Sequence, residues 1–154
     1  MIKIGVSRFR LTGSAVLFKV AILLSSGALA ADELASPEIP ESIAVAITID
    51  SENLIELYQS VPDLKIIDSR LHEDHIQGYI EKSYNLPLSE TDCASLRKLA
   101  KSPEQAMVFY CNGNAGDASI EAIQIASGCG YKRLFWFRGG FVEWEDKDYP
   151  YVIE

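Results

Sequence analysis

The chain is poor in the residues that build metal centres and disulfide frameworks: its 154 residues include 3 cysteines and 2 histidines. Cys93, Cys111 and Cys129 form no C-x-x-C pair, which argues against both a disulfide scaffold and a paired-thiol oxidoreductase. His72 and His75 flank Glu73 and Asp74, but nothing nearby in sequence completes a tetrahedral set, so the segment reads as an exposed polar loop without a metal. Cations are scarce too. Lys and Arg number 14 against 22 Asp and Glu, for a net charge of −8. A surface of that sign repels phosphate backbones and anionic lipid, which excludes nucleic acid as an expected partner. The length leaves room for one domain with a modest core and excludes two ordinary ones.

Acidic residues are also missing from the first 30 positions, where Lys3, Arg8, Arg10 and Lys19 stand. A basic start, the apolar run Val20-Ala21-Ile22-Leu23-Leu24 and the small residues Ala28 and Ala30 together predict a secretory signal over residues 1–30, cleaved after Ala30. The apolar run after Lys19 falls short of the roughly 18 to 20 residues that span a bilayer, so no stable membrane insertion is expected after cleavage. The expected location is the periplasm or the cell exterior. Without the leader's four cations the net charge becomes −12.

Residues 31–42 (ADELASPEIPES) are rich in proline, serine and acid and read as a flexible, solvated lead-in that contributes nothing to a core. The folded domain is expected over 43–154. Its pattern alternates. A β-type run at 43–49 leads to a helix capped by Asp50 or Ser51, and a short strand at 64–67 ends at Asp68. One turn of helix follows near 70–77, then an extended stretch at 83–88. The next helix is expected to start after Ser89, with Asp92 as its capping-box acid. The second half continues with a strand at 106–110, a helix at 118–127, a strand at 133–137 and a short helix near 142–145. Strands and helices alternating at this spacing predict an open, mostly parallel α/β sheet with helices on both faces. Reactive groups in such sheets gather beyond the carboxyl ends of the strands.

Cys111 occupies such an end. It follows the apolar run Met107-Val108-Phe109-Tyr110 and opens the loop Asn112-Gly113-Asn114-Ala115-Gly116-Asp117 before a helix. Glycine and asparagine permit left-handed backbone, so the loop can curl with several N–H groups inward, and the helix adds the positive end of its dipole. A thiol in that ring is expected to have a lowered pKa. The ring would also hold a persulfide, an oxyanion or a sulfur-bearing substrate. The competing reading is a small buried hydrophobe at a strand end. Cys129 closes a helix about 16 Å long whose other end lies near Cys111, beyond disulfide reach of it, and reads as a packing or helix-end residue. The distance of Cys93 from the other thiols is not legible.

Four motifs agree in order with one family. Ile66-Ile67-Asp68-Ser69-Arg70 resembles a strand ending in D-x-R. Residues 73–87 resemble E-x-x-x-G-H-I-x-G-A-x-N-I-P, matched at Gly78, Ile80, Asn85 and Pro87, with Tyr79 where the family often has histidine. Phe109-Tyr110-Cys111 resembles the strand that delivers a nucleophile. Gly130-Tyr131, Phe137-Arg138-Gly139-Gly140-Phe141, Trp144 and Tyr149-Pro150 resemble the closing run. On these residues the chain, over about 43–152, resembles the rhodanese (sulfurtransferase) family. The resemblance implies a five-stranded sheet flanked by helices and a cysteine that accepts a sulfane sulfur as persulfide, with no metal or organic cofactor. By position Cys111 would be the carrier and the backbone N–H groups of Asn112 to Asp117 its cradle, while Asp68 and Arg70 would brace the loop.

The chain departs from the family at the loop. The family's C-x-x-G-x-R pattern carries an arginine that helps hold anionic donors, and here Gly116 and Asp117 occupy the corresponding stretch. Asp117 beside the thiol should raise its pKa and repel small dianions. Arg138 is a partial substitute for the lost cation or, on the blander reading, a surface ion pair. The expected function is an exported sulfurtransferase or sulfane-sulfur carrier. It would act on a small sulfur donor and acceptor or a partner protein's thiol, with neutral or extended sulfur species favoured over thiosulfate. The alternative is a catalytically silent fold that serves as a binding module.

Overall fold

The computed structural model describes residues 39–113 and 117–154. The expected signal segment and the expected cleavage after Ala30 lie outside the described residues, as do Asn114, Ala115 and Gly116 of the loop.

Strands covered on both faces must be apolar on both sides, and the run Met107-Val108-Phe109-Tyr110 meets that condition, each residue being 0% exposed. It forms β4 (Met107–Tyr110), the middle strand of a five-stranded sheet. The others are β1 (Ile47–Ile49), β2 (Lys65–Asp68), β3 (Ser83–Asn85) and β5 (Leu134–Phe137). Their order is β1-β5-β4-β2-β3, and every pairing is parallel. The expectation of a mostly parallel α/β sheet holds.

Alternation along the strands divides the core into two layers. Ile67, Met107, Phe109, Leu134 and Trp136 face α3 (Cys93–Leu99) and α4 (Ala118–Gly128). Ile66, Val108, Tyr110 and Phe137 face α1 (Ser51–Ser60) and α5 (Gly140–Asp146). A single helical turn, α2 (His72–His75), sits between β2 and β3. Because β4 is flanked by β5 and β2, its carboxyl end, and with it Cys111, opens at the centre of the sheet's edge.

Several local expectations shift. The first strand begins at Ile47 rather than at 43. Ile39 and Ile43 nevertheless pack against the layer of α3 and α4, so the lead-in does supply an apolar contact. The helix after Pro87 does not start at Ser89: residues 88–90 form one 3-10 turn. Asp92 is itself the N-cap of α3, accepting the Ser95 N–H at 2.7 Å, while Ser95 Oγ accepts the Asp92 N–H at 2.9 Å. Serine completes the reciprocal box here, a role more often given to glutamate or glutamine.

The largest correction concerns the cysteines. Cys93 opens α3 and Cys129 follows α4; both helices cover the same face of the sheet, which brings the two Cα atoms to 5.5 Å in a disulfide. Cys129 is therefore more than a helix-end packing residue, and Cys93 is its partner. Cys111 is left as the free thiol.

Candidate active site

The site begins with a buried carboxylate. Asp68 ends β2 at 0% exposure and accepts from every side. The Arg70 N–H donates to Oδ1 at 3.0 Å, and the Arg70 guanidinium donates through Nε to Oδ1 at 2.9 Å and through an Nη to Oδ2 at 2.6 Å. His75 Nδ1 lies 2.8 Å from Oδ2, and the Tyr110 hydroxyl donates to it at 2.9 Å. Burial opposes the Arg70 charge, and the bonds and field of Asp68 outweigh it, so the guanidinium's pKa stands above its ordinary value. The same guanidinium donates to the Gly78 carbonyl at 2.7 Å and lies 4.3 Å from the centre of the Phe141 ring. Burial and the nearby Asp68 push the Tyr110 phenol far up, so it remains a donor at any physiological pH.

Asp68 and Arg70, which the sequence reading assigned to bracing the loop, are thus bonded to each other at the end of β2. That reading missed His75, which it placed in an exposed loop with His72. His72 is exposed, but the turn of α2 rotates His75 inward, where it is 6% exposed, bonded to Asp68 and stacked on Tyr79 with ring centres 4.1 Å apart. The three-residue offset between the two histidines within a helical turn was the available signal. Among the described residues no group of three or more His, Cys, Asp or Glu side chains is gathered to hold a metal.

Cys111 is one residue past β4 and 6% exposed. Burial pushes its thiol pKa up; the backbone N–H groups of Asn112 and Ser119 favour the thiolate and pull it down without cancelling burial, and Asp68 raises it further against Arg70. The expectation of a lowered pKa is overturned, and burial is the reason. The acid responsible is buried Asp68 rather than Asp117, which is exposed at the start of α4. Of the residues expected to form the cradle, Asn112 has a backbone N–H that favours the thiolate, and the Ser119 N–H, which the sequence reading did not name, acts in the same direction. A free N–H in the first turn of a helix is a general property that points to such a residue.

Glycine secures the loop from behind. Gly113 adopts φ +81° and Gly140 φ +59°, and a Cβ on Gly140 would strike the Cys111 carbonyl and the Gly113 nitrogen. The Phe141 N–H donates to the Cys111 carbonyl at 2.8 Å, tying the start of α5 to the cysteine. Asn112 extends sideways, its Nδ2 donating to Asp74 at 3.3 Å.

Arg138 does not replace the missing loop cation. Its guanidinium donates to the Pro40 carbonyl at 2.9 Å and to Glu41 at 2.9 Å, clipping the lead-in to the end of β5. Beside Asn112 and Gly139 runs an open groove of about 900 Å³. Of the cations along it, Arg138 pairs with Glu41 and Lys147 with Glu52 and Glu143, while Asp50 and Asp146 add carboxylates of their own. A doubly charged anion gains little in such a groove.

Comparison with known proteins agrees with this architecture. The family model described as "Rhodanese-like domain" matches residues 39–147. The chain is 34% identical over 98 residues to the rhodanese domain-containing protein CG4456 of Drosophila melanogaster, covering 56% of this chain and 86% of that one. It is 28% identical over 104 residues to a sulfurtransferase of Allochromatium vinosum, covering 68% of this chain and 92% of that one. Among solved structures, the BH2092 protein of Bacillus halodurans superposes with a TM-score of 0.63 at 19% identity, over 70% of this chain and 77% of that one. A thiosulfate sulfurtransferase of Pseudomonas aeruginosa superposes with a TM-score of 0.61 at 18% identity, over 70% of this chain and 20% of the other.

Proposed function

The chain belongs to the rhodanese-like domain family, and from that premise we propose that it is an exported sulfurtransferase or sulfane-sulfur carrier working through a persulfide on Cys111. The observation that carries the proposal is the placement of the free thiol: Cys111 stands buried, one residue past the central strand and before the N-terminal end of α4. Donors aimed at a sulfur stabilise whatever negative charge it bears, and in a site shielded from water they act at full strength.

The reaction balances without an external oxidant. Cys111 loses its proton to solvent and its thiolate attacks the outer sulfane sulfur of the donor. A new Sγ–S bond forms, the donor's S–S bond breaks, and the electron pair leaves on the donor's thiolate. A nucleophilic acceptor then attacks the outer sulfur, and the pair returns to Cys111. A high thiol pKa slows the first attack, because little thiolate is present at neutral pH. A donor that is itself a good sulfur-leaving group compensates. The loop's lack of arginine, with Arg70 and Arg138 both committed to other partners, supports neutral or extended sulfur species, or another protein's persulfide, over thiosulfate.

Export is supported by the basic and apolar leader, and the Cys93–Cys129 disulfide suits an oxidising compartment. A catalytically silent binding module is the second reading, favoured by the loop's lack of arginine. The deciding measurement is intact mass spectrometry of the protein after exposure to inorganic polysulfide and, separately, to thiosulfate, followed by cyanide. One added sulfur on Cys111, released as thiocyanate, is the expected result. A folded protein that gains no sulfur from either donor would leave the binding module.

A further inference from the structure

Ser69 follows Asp68 at the carboxyl end of β2. Its side chain is enclosed, the residue being 2% exposed, yet its Oγ has no hydrogen-bond partner among the described residues. A hydroxyl in that position has given up its water without return, and native chains keep few of them.

The sheet determines which way this hydroxyl faces. Asp68 and Tyr110 are register partners, and their side chains meet on the face of α1 and α5, where the phenol donates to the carboxylate. One residue further the ladder continues, the Ser69 N–H donating to the Tyr110 carbonyl at 2.9 Å. By alternation, Ser69 and Cys111 therefore stand side by side on the opposite face, the one to which Ile67 and Phe109 already turn. That is also the face of α4, whose Ile120 and Ile123 pack in the same layer as Ile67 and Phe109. The thiol thus faces the helix that starts at Ala118, and beside it stands a hydroxyl from the neighbouring strand that is unused while Cys111 is a thiol.

We propose that Ser69 Oγ is the side-chain donor that holds the sulfur carried on Cys111, taking up its missing hydrogen bond when the outer sulfur is attached. The inference rests on the persulfide reading above and deepens it. A single neutral donor in place of a guanidinium fits a singly charged persulfide or polysulfide terminus and offers nothing extra to a dianion, whose second charge needs a fork of N–H groups. The class of donor follows from the same geometry: a chain ending in one sulfur anion.

The test uses the purified protein and three variants, Ser69→Ala, Ser69→Gly and Ser69→Thr. Each is loaded with inorganic polysulfide and followed by intact mass for the yield of sulfur on Cys111 and its lifetime under dilute cyanide, beside a melting curve. Ser69→Ala should melt no lower than wild type, since it deletes an unpaired hydroxyl, while the sulfur adduct decays about tenfold faster, the scale of one hydrogen bond to a charged group. Ser69→Thr, which keeps the hydroxyl, should hold the adduct within about threefold of wild type on the same scale. Should the alanine variant fail to fold, Ser69→Gly removes the same hydroxyl and should show the same rapid decay. A wild-type lifetime in the folded alanine or glycine variant would overturn the inference and leave sulfur transfer standing, as would a threonine variant that loses sulfur as fast as alanine. Wild-type protein that takes up no sulfur from polysulfide would overturn both.

Discussion

Breaking the Cys93–Cys129 disulfide should cost the fold more than any surface change. The bridge closes a loop with a sequence separation of 36. In the chain-entropy account a loop of that length restricts the unfolded ensemble by roughly 4 kcal/mol. A domain of this size has an unfolding entropy that converts each kcal/mol into about 3 to 6 °C, so the melting temperature should fall by roughly 12 to 24 °C. Both cysteines are half-buried, so replacing them with serine adds little cavity cost, and the double variant Cys93→Ser/Cys129→Ser should match wild type measured in a phosphine reductant. Circular dichroism melts with and without reductant provide the comparison, and thiol titration of the denatured, unreduced protein should count one thiol per chain, that of Cys111. The reasoning fails if reductant shifts the melt by less than about 3 °C, under a quarter of the loop-entropy expectation, or if the unreduced chain titrates three thiols.

Four further outcomes follow from the site. Asp68→Asn leaves the Arg70 guanidinium without its carboxylate in an interior position, and urea unfolding should register a loss of about 3 to 5 kcal/mol. Gly140→Ala drives a methyl group into the Cys111 and Gly113 backbone; it should destabilise by roughly 1 to 3 kcal/mol and abolish polysulfide uptake by mass spectrometry. Because burial raises the Cys111 pKa in the folded state, iodoacetamide alkylation should titrate above the ordinary thiol value. The unfolded chain loses that proton first, so this contribution to stability is intact below the unfolded thiol's pKa and disappears as pH rises through the folded one, which denaturant midpoints across the alkaline range will track. Asp117→Arg reverses the charge at the exposed start of α4 and should increase thiosulfate turnover about 3- to 10-fold at low salt, with unchanged turnover counting against an electrostatic bar to dianions.

The order of elements was legible because it depends on local pattern. The run Met107-Val108-Phe109-Tyr110 can be nothing but a strand covered on both faces, and Asp50 caps α1 as its position suggests, accepting the Asn53 N–H at 2.8 Å. Boundaries were less so. The start of α3 moved because Ser89 and Asp92 are both good caps by type, and Pro87 decides between them only through the 3-10 turn that it opens. The disulfide was illegible for a different reason: it joins two helices that are apart in sequence and together only because both cover one face of the sheet, and no spacing rule carries that information.

The thiol at the site shows the same division. Residue type and position placed Cys111 at the carboxyl end of a buried strand and Asp68 and Arg70 at the end of another, where the structure has them, since both are patterns of the sequence. The sign of the Cys111 pKa shift was misjudged because that sign is a contest between amide donors and desolvation. Sequence reveals the donors, as an upcoming helix and a glycine-bearing loop, but not how deeply the sulfur is covered. Burial wins in the thiol state. Under the persulfide chemistry proposed above, the charge would sit one atom beyond Sγ, and the balance of donors and desolvation would be set there rather than at Sγ.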